Sequence, residues 1–289
     1  MLLYILTIPF IYLLSLLPTR ALYIMADGIA WLLEHVVRYR RAVVYTNLHN
    51  SFPDKTGAET SAIAHQFYRH FADMMVENIK STSISRGELM ERIMVPGVRE
   101  VFQPYWDQKR NVVIILGHCG AWQWAGLAAP ALIPQHLFAF YNPLTNKYFD
   151  RFLKKTRSRY GMYLVSMRGY MRHIRSQFTD VSSLHFFLFD QGPSNPRKAY
   201  WTTFLHQETG FYYGPAHFAQ QHDCAVIYVA VKYKSRGKYL ATLTTITNAP
   251  NSITADEIIE RSVRLLEQQI QEQPADWLWS HRRWKRKKP

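Results

Sequence analysis

Residues 111–126 read NVVIILGHCGAWQWAG, and their reading decides the fold. The apolar run Val112–Leu116 ends at Gly117, and His118 follows at once. A run of five apolar residues closed by a small-residue turn (Cys119, Gly120, Ala121) predicts a short buried strand. Trp122, Gln123 and Trp124 then open a helix, predicted over 122–129. His118 therefore stands at the carboxyl end of a strand, where open α/β sheets bind their ligands. Histidine is the side chain best suited by its ordinary chemistry to general base work near neutral pH.

Strand and helix patterns alternate outward from this point. Upstream, Ile63, Phe67, Phe71, Met74, Met75 and Ile79 recur near helical spacing and predict a helix over 60–80. A short helix is predicted over 87–93, and another over 95–103, beginning around Pro96. Downstream, strands are predicted over 136–141, 163–166, 184–189, 225–232 and 238–245. Helices are predicted over 146–160, 170–178, 211–222 and 254–273, the last capped by Thr254 with acids in its first turn. Such alternation predicts an α/β fold with a mostly parallel central sheet flanked by helices. Neither internal repeats nor low-complexity linkers interrupt it. The organisation predicted is an N-terminal membrane-associated helical segment, 1–37, followed by one domain, 38–289.

At 289 residues the chain is long enough for a full-sized core. Its two cysteines, Cys119 and Cys224, supply neither a disulfide framework nor a C-x-x-C metal spacing. The net charge of +14 points to nucleic acid, anionic lipid or an acidic protein as partner. No zinc-finger, RNA-recognition or helix-turn-helix pattern accompanies that charge, so nucleic acid is the weaker reading. The charge is also uneven. Residues 1–19 hold no charged side chain, while Arg282, Arg283, Lys285, Arg286, Lys287 and Lys288 crowd the end.

The apolar start, MLLYILTIPFIYLLSLLPT, approaches the roughly 20 residues that cross a bilayer. It lacks the basic leader and small-residue cleavage site of a signal peptide. Three readings stand: a spanning helix, an interfacial helix lying against one leaflet, or a buried core helix. Arg20, Arg38, Arg40 and Arg41 follow it and favour a cytoplasmic body by the positive-inside rule. Aromatic rings make up 15% of the chain, with 8 tryptophans. Trp277 and Trp284 beside Lys285 and Arg286 read as an interfacial foot, with rings at headgroup depth and cations on phosphates. The alternative places the tryptophans in the core and leaves a solvated basic tail.

Residues 117–123, Gly-His-Cys-Gly-Ala-Trp-Gln, resemble the H-x4-D/E block of the glycerolipid (lysophospholipid) acyltransferase superfamily. More closely they are similar to the G-H-x-G-N-W-E block of the late, lauroyl/myristoyl-type lipid A biosynthesis acyltransferases. The likeness runs in order along the chain. Arg40 and Arg41, then Asn47, Leu48, Phe52 and Pro53, look like the family's R…NL…FP segment. Phe67, Tyr68, Phe71, Asp73 and Glu77 follow on the predicted helix. Tyr141, Asn142 and Pro143 with Arg157, Arg159, Tyr160 and Gly161 look like its second block. Asp190, Gln191, Gly192 and Pro193 look like its D-Q turn. Residues 274–285 resemble its P-x-x-W-L-W-x-H-R-R-W-K terminus, the most specific string of all.

The resemblance implies transfer of a fatty acyl chain from a thioester, with acyl carrier protein as donor, to a hydroxyl of a lipid A precursor. It places such a protein at the cytoplasmic face of the bacterial inner membrane, and no metal or organic cofactor is required. The basic surface agrees with an acidic carrier. His118 is the candidate base. Position 123, where the family carries an acid, holds Gln123. An amide oxygen can hold the ring by a hydrogen bond but brings no charge, and loss of that charge on the serine-protease template costs on the order of 10⁴ in rate. Arg157, with Arg159 as the alternative, is expected to bind an acidic headgroup or help the donor. Asp190 and Gln191 are expected to form a structural or substrate-positioning turn; Asp190 supplies the missing carboxylate if its strand end approaches His118. Glu77 is expected at a helix surface. Cys119 is a rival nucleophile that its neighbour His118 is poorly aimed to activate.

Other readings keep the chemistry and change the acceptor to an aminolipid, an ornithine-type lipid, a glycerolipid or a pigment precursor. Another, motivated by Gln123, is a non-catalytic lipid-binding homologue.

Overall fold

All five side chains of Val112–Leu116 are buried, because the strand has parallel partners on both edges and helices over both faces. The computed structural model describes residues 2–166 and 182–289. In it this strand is β2 of a seven-stranded sheet. The others are β1 (Ile93–Met94), β3 (His136–Tyr141), β4 (Met162–Ser166), β5 (Ser183–Leu188), β8 (Ala225–Ser235) and β9 (Lys238–Thr247), in the order β1-β9-β8-β2-β5-β3-β4. Only the β8–β9 pair is antiparallel. A separate hairpin, β6 (Ala199–Phe204) with β7 (Gln207–Tyr212), lies outside the main sheet.

The helices are α1 (Leu2–Leu16), α2 (Thr19–Trp31), α3 (Arg41–Ser51), α4 (Gly57–Lys80), α5 (Arg86–Arg92), α6 (Val98–Asp107), α7 (Trp122–Leu132), α8 (Lys147–Arg157), α9 (Gly214–Gln221) and α10 (Ala255–Glu272). β2 divides its side chains between two cores. Val113 and Ile115 join residues of α4, α9 and α10, whereas Val112, Ile114 and Leu116 join Phe102 and Tyr105 of α6 and Ala129 of α7. α10 is defined at both levels. A reciprocal Thr254–Glu257 capping box starts it, and Ile258, Ile259, Val263, Leu266 and Ile270 are its buried apolar face. Each such side chain contributes roughly 1.5–3 kcal/mol on burial.

Several sequence expectations change, among them the helix expected over 95–103, which runs over Val98–Asp107. The helix expected over 211–222 begins only at Gly214, because β7 runs through Tyr212. The β6–β7 hairpin was not foreseen: its Leu205-His206 turn takes positive φ with neither Gly nor Asn to mark it. Glu77 is buried, not at a helix surface; the hydroxyls of Tyr23 and Tyr239 both donate to its Oε1, at 2.8 and 2.7 Å. The helix expected over 170–178 lies outside the described residues.

α1 and α2 meet at Pro18 with a bend of 120° between 7–16 and 19–36. Lys80 Nζ fixes the bend by donating to the terminal carbonyls of Ser15 and Leu17 at 3.2 and 3.1 Å. Leu22, Tyr23, Ala26 and Ala30 of α2 pack on Ala72 and Val76 of α4, so part of the segment 1–37 shares a core with the rest of the chain. Among the described residues no single helix is long and apolar enough to cross a membrane.

Candidate active site

Leu116 of β2 and Leu188 of β5 are register partners. His118 lies two residues past the first and Asp190 two past the second, so adjacent parallel strands deliver both to one end of the sheet. His118 Nδ1 stands 2.6 Å from Asp190 Oδ1, and the His118 backbone N–H donates to Asp190 Oδ2 at 2.8 Å. An ionised carboxylate only accepts, so Nδ1 carries the proton and Nε2 the lone pair. The amide nitrogen of Gln191 lies 3.2 Å from that Nε2. Gly117 permits this turn: a Cβ there would sit 2.6 Å from Leu266 Cδ1 and 3.4 Å from Asp190 Oδ2. Gly120 takes φ +52°, and a Cβ there would meet the Val231 carbonyl at 3.0 Å.

Burial alone would raise the Asp190 carboxyl. The charge and hydrogen bonds of His118, with the indole of Trp277, outweigh it and hold the group down to about 2. Asp190 is thus an anion at neutral pH although only 2% exposed. It makes the imidazole contact looked for at position 123. Gln123 does not hold the imidazole, because Asp190 already occupies Nδ1. Part of this pairing was legible in the sequence: His118 and Asp190 each follow closely on an apolar run predicted as a strand, and Asp190 was the carboxylate expected if those strand ends met.

His118 also forms part of the wall of a cavity of about 780 Å³. Its apolar lining includes Leu116, Leu127, Ala139, Phe186 and Leu188; Gln123, Arg157 and Gln191 bring polar groups to it. A cavity of this volume falls within the range of small-molecule sites, roughly 300–1,000 Å³. The Arg157 guanidinium lies over the Trp122 ring at 5.8 Å, and no carboxylate pairs with it among the described residues. Its burial disfavours the cation, yet arginine keeps its proton, so an anionic ligand would relieve it. Arg159 is elsewhere. Its Nη1 donates to the carbonyls of Ser81, Thr82 and Ile84, which cap the end of α4, so the substrate-binding expectation for Arg159 is corrected to a structural one. Asp190 contacts His118, as expected if its strand end approached it, rather than forming a substrate-positioning turn, while Gln191 remains at the cavity.

The terminal motif faces inward. Trp277 is 2% exposed and its indole donates to Asp190 Oδ2 at 2.8 Å, so it cannot lie at headgroup depth. Trp284 packs edge-on to Trp277 at 5.9 Å and donates to Thr209 Oγ1, which corrects its reading as an interfacial ring. Lys285 and Arg286 are exposed, and Arg286 Nη1 reaches the Pro193 carbonyl. Asn47 holds this terminus by donating to the carbonyls of Trp279 and His281 at 2.9 and 3.0 Å. His70 and Asp276, 2.5 Å apart, brace it further, and the Asp276 carbonyl accepts the Gly120 N–H at 3.1 Å. Cys119 is buried, and burial with the nearby Asp190 and Asp276 pushes its thiol well up, which disfavours a thiolate nucleophile. Among the described residues no group of His, Cys, Asp and Glu is placed to hold a metal ion.

A family model described as bacterial lipid A biosynthesis acyltransferase matches residues 1–286. No curated protein matches the chain.

Proposed function

The chain belongs to the bacterial lipid A biosynthesis acyltransferases, and from that premise we propose that it is an O-acyltransferase using His118 as base and Asp190 as the carboxylate that orients it. The observation that carries this reading is the 2.6 Å His118–Asp190 contact in the wall of a large, mainly apolar cavity. Nε2 removes the proton of an acceptor hydroxyl as its oxygen attacks the thioester carbonyl. Asp190 stabilises the imidazolium that forms. The C–S bond then breaks, and the thiolate leaves with the electron pair and takes the proton from Nε2. The acceptor hydroxyl must displace the Gln191 amide from Nε2 to begin this sequence. Arg157 would bind an anionic group of donor or acceptor.

The acyl donor we propose is a thioester on acyl carrier protein, and the acceptor a hydroxyl of a lipid A precursor. The non-catalytic reading drew its support from the absent acid at position 123, and Asp190 removes that support. We place the protein on the cytoplasmic face of the inner membrane through its N-terminal hairpin. Phe10, Leu13 and Leu16 of α1 and Ile24 and Trp31 of α2 are exposed apolar side chains, with Arg20, Arg38 and Arg41 near them in the chain. A bent pair of helices with such a face suits one leaflet better than a span.

Purified protein, incubated with dodecanoyl acyl carrier protein and a lipid A precursor in detergent, should yield a product heavier by one acyl chain. His118→Ala should abolish the product. If wild type and His118→Ala are equally inert on this acceptor and on glycerolipid and aminolipid acceptors, the enzyme reading fails.

A further inference from the structure

We propose that Gln123 is a catalytic hydrogen-bond donor, its side-chain amide receiving the negative charge that develops on the thioester carbonyl oxygen. The inference rests on the acyl-transfer reading and deepens it. Acyl transfer through a tetrahedral intermediate needs donors placed for the oxyanion. Two backbone donors beside the base are already engaged. The His118 N–H is bound to Asp190 Oδ2, and the Gly120 N–H to the Asp276 carbonyl. The Gln191 amide sits on His118 Nε2, the position that the acceptor hydroxyl must take.

Gln123 is different. It stands in the first turn of α7 and lines the same cavity as His118, yet among the described residues its amide has no hydrogen-bond partner. An amide facing a mainly apolar cavity is costly unless a ligand completes it. Its neighbours also explain the residue type. With Asp190 on Nδ1, no carboxylate is needed at position 123. A carboxylate there would only accept hydrogen bonds and would repel an oxyanion, whereas the amide brings two N–H groups and no charge.

The step balances as follows. The hydroxyl oxygen forms a bond to the carbonyl carbon, and its proton passes to Nε2. The carbonyl π pair moves onto oxygen, where the Gln123 N–H holds it. That pair returns as the C–S bond breaks, and the thiolate takes the proton from Nε2.

The test compares wild type, Gln123→Ala, Gln123→Glu and His118→Ala with dodecanoyl acyl carrier protein and a lipid A precursor, from pH 6 to 9 (a range on the order of the imidazole titration). Gln123→Ala should lower kcat by about 10²–10³-fold with little change in KM. Gln123→Glu should be at least as slow as Gln123→Ala above neutrality, where the new carboxyl is ionised and can only accept. Both should melt as wild type does, since among the described residues the native amide has no hydrogen-bond partner. A Gln123→Glu protein as fast as wild type, or a Gln123→Ala protein with unchanged kcat, overturns the proposal. In either case an inactive His118→Ala leaves the acyl-transfer reading standing. A His118→Ala protein as active as wild type takes both down.

Discussion

The indole of Trp277 donates to Asp190 Oδ2 at 2.8 Å, the oxygen that also accepts the His118 backbone N–H, while Asp190 Oδ1 faces the imidazole. The carboxylate is thus held by three donors, and each of its oxygens has a defined partner. Through this bond Trp277 reaches the His118–Asp190 pair. Replacing Trp277 by Phe keeps most of the packing against Trp279 and Phe204 and deletes the donor. We expect kcat to fall by about tenfold, the worth of one hydrogen bond of about 1.4 kcal/mol, with KM unchanged. Steady-state kinetics on the variant would check this; a change in KM alone would place Trp277 in substrate binding instead.

Asp190→Asn should be far more damaging. The asparagine can keep the contact with the backbone N–H but cannot stabilise the imidazolium, and it can present its own N–H to the ring and reverse the tautomer. On the serine-protease template such a change lowers kcat by about 10⁴-fold. The variant should fold, because the side chain is nearly isosteric, so thermal unfolding and activity measured on one preparation separate the two effects. Activity within threefold of wild type (roughly 0.7 kcal/mol) would contradict the assignment.

The two arginines of the second block should separate cleanly. Among the described residues Arg157 has no carboxylate partner, and it lines the cavity, so Arg157→Gln should lower kcat/KM by about 10- to 100-fold, the worth of a charged hydrogen bond. The melting temperature should hardly move. Arg159 bonds three carbonyls at the end of α4, so Arg159→Gln should destabilise the fold by about 1–3 kcal/mol and leave the kinetics of the folded protein intact. Denaturant unfolding and initial rates for both variants decide this. The reverse assignment of effects would return Arg159 to the substrate.

These contrasts show how unevenly the site was legible. β2 and β3 have the bounds that their apolar runs predict, because a buried parallel strand carries its signal in consecutive residues. The cap of α10 was legible for a similar reason: Thr254 and Glu257 are three residues apart. His118 was found from its place at a strand end. Its partner was sought first at position 123, five residues along, and at Asp190 only on condition that the two strand ends meet; the pairing runs 72 residues through the sheet. Only the β2–β5 register makes that contact, and strand order is not written in any local window. The burial of Trp277 was obscure for the complementary reason. A Trp-Arg-Trp-Lys string has the composition of a membrane foot, and the donors and acceptors that draw it inward, Asn47, Thr209 and Asp190, come from distant segments.

Glu77 provides a stability signal independent of catalysis. It lies beneath Tyr23 of α2 and Tyr239 of β9, so its ionisation reports on the joint between the N-terminal hairpin and the sheet. Burial is the largest influence on its carboxyl and raises it to about 8; the hydrogen bonds from Tyr239 and Tyr23 oppose the shift without cancelling it. The sign follows from proton counting. Between the unfolded value of 4.5 and the folded value of about 8, the native state holds a proton that the unfolded chain has lost. Stability attributable to this group is therefore full below the unfolded value and declines as pH rises through that window, by about 1.4 kcal/mol per pH unit at most. Above the folded value the decline stops. Glu77→Gln keeps a carbonyl oxygen for the two tyrosine hydroxyls and removes the titration. Its denaturant midpoint should exceed that of wild type at pH 8 (roughly the folded value) and match it most closely in acid. Parallel stability–pH curves for wild type and variant would sink this account of the joint.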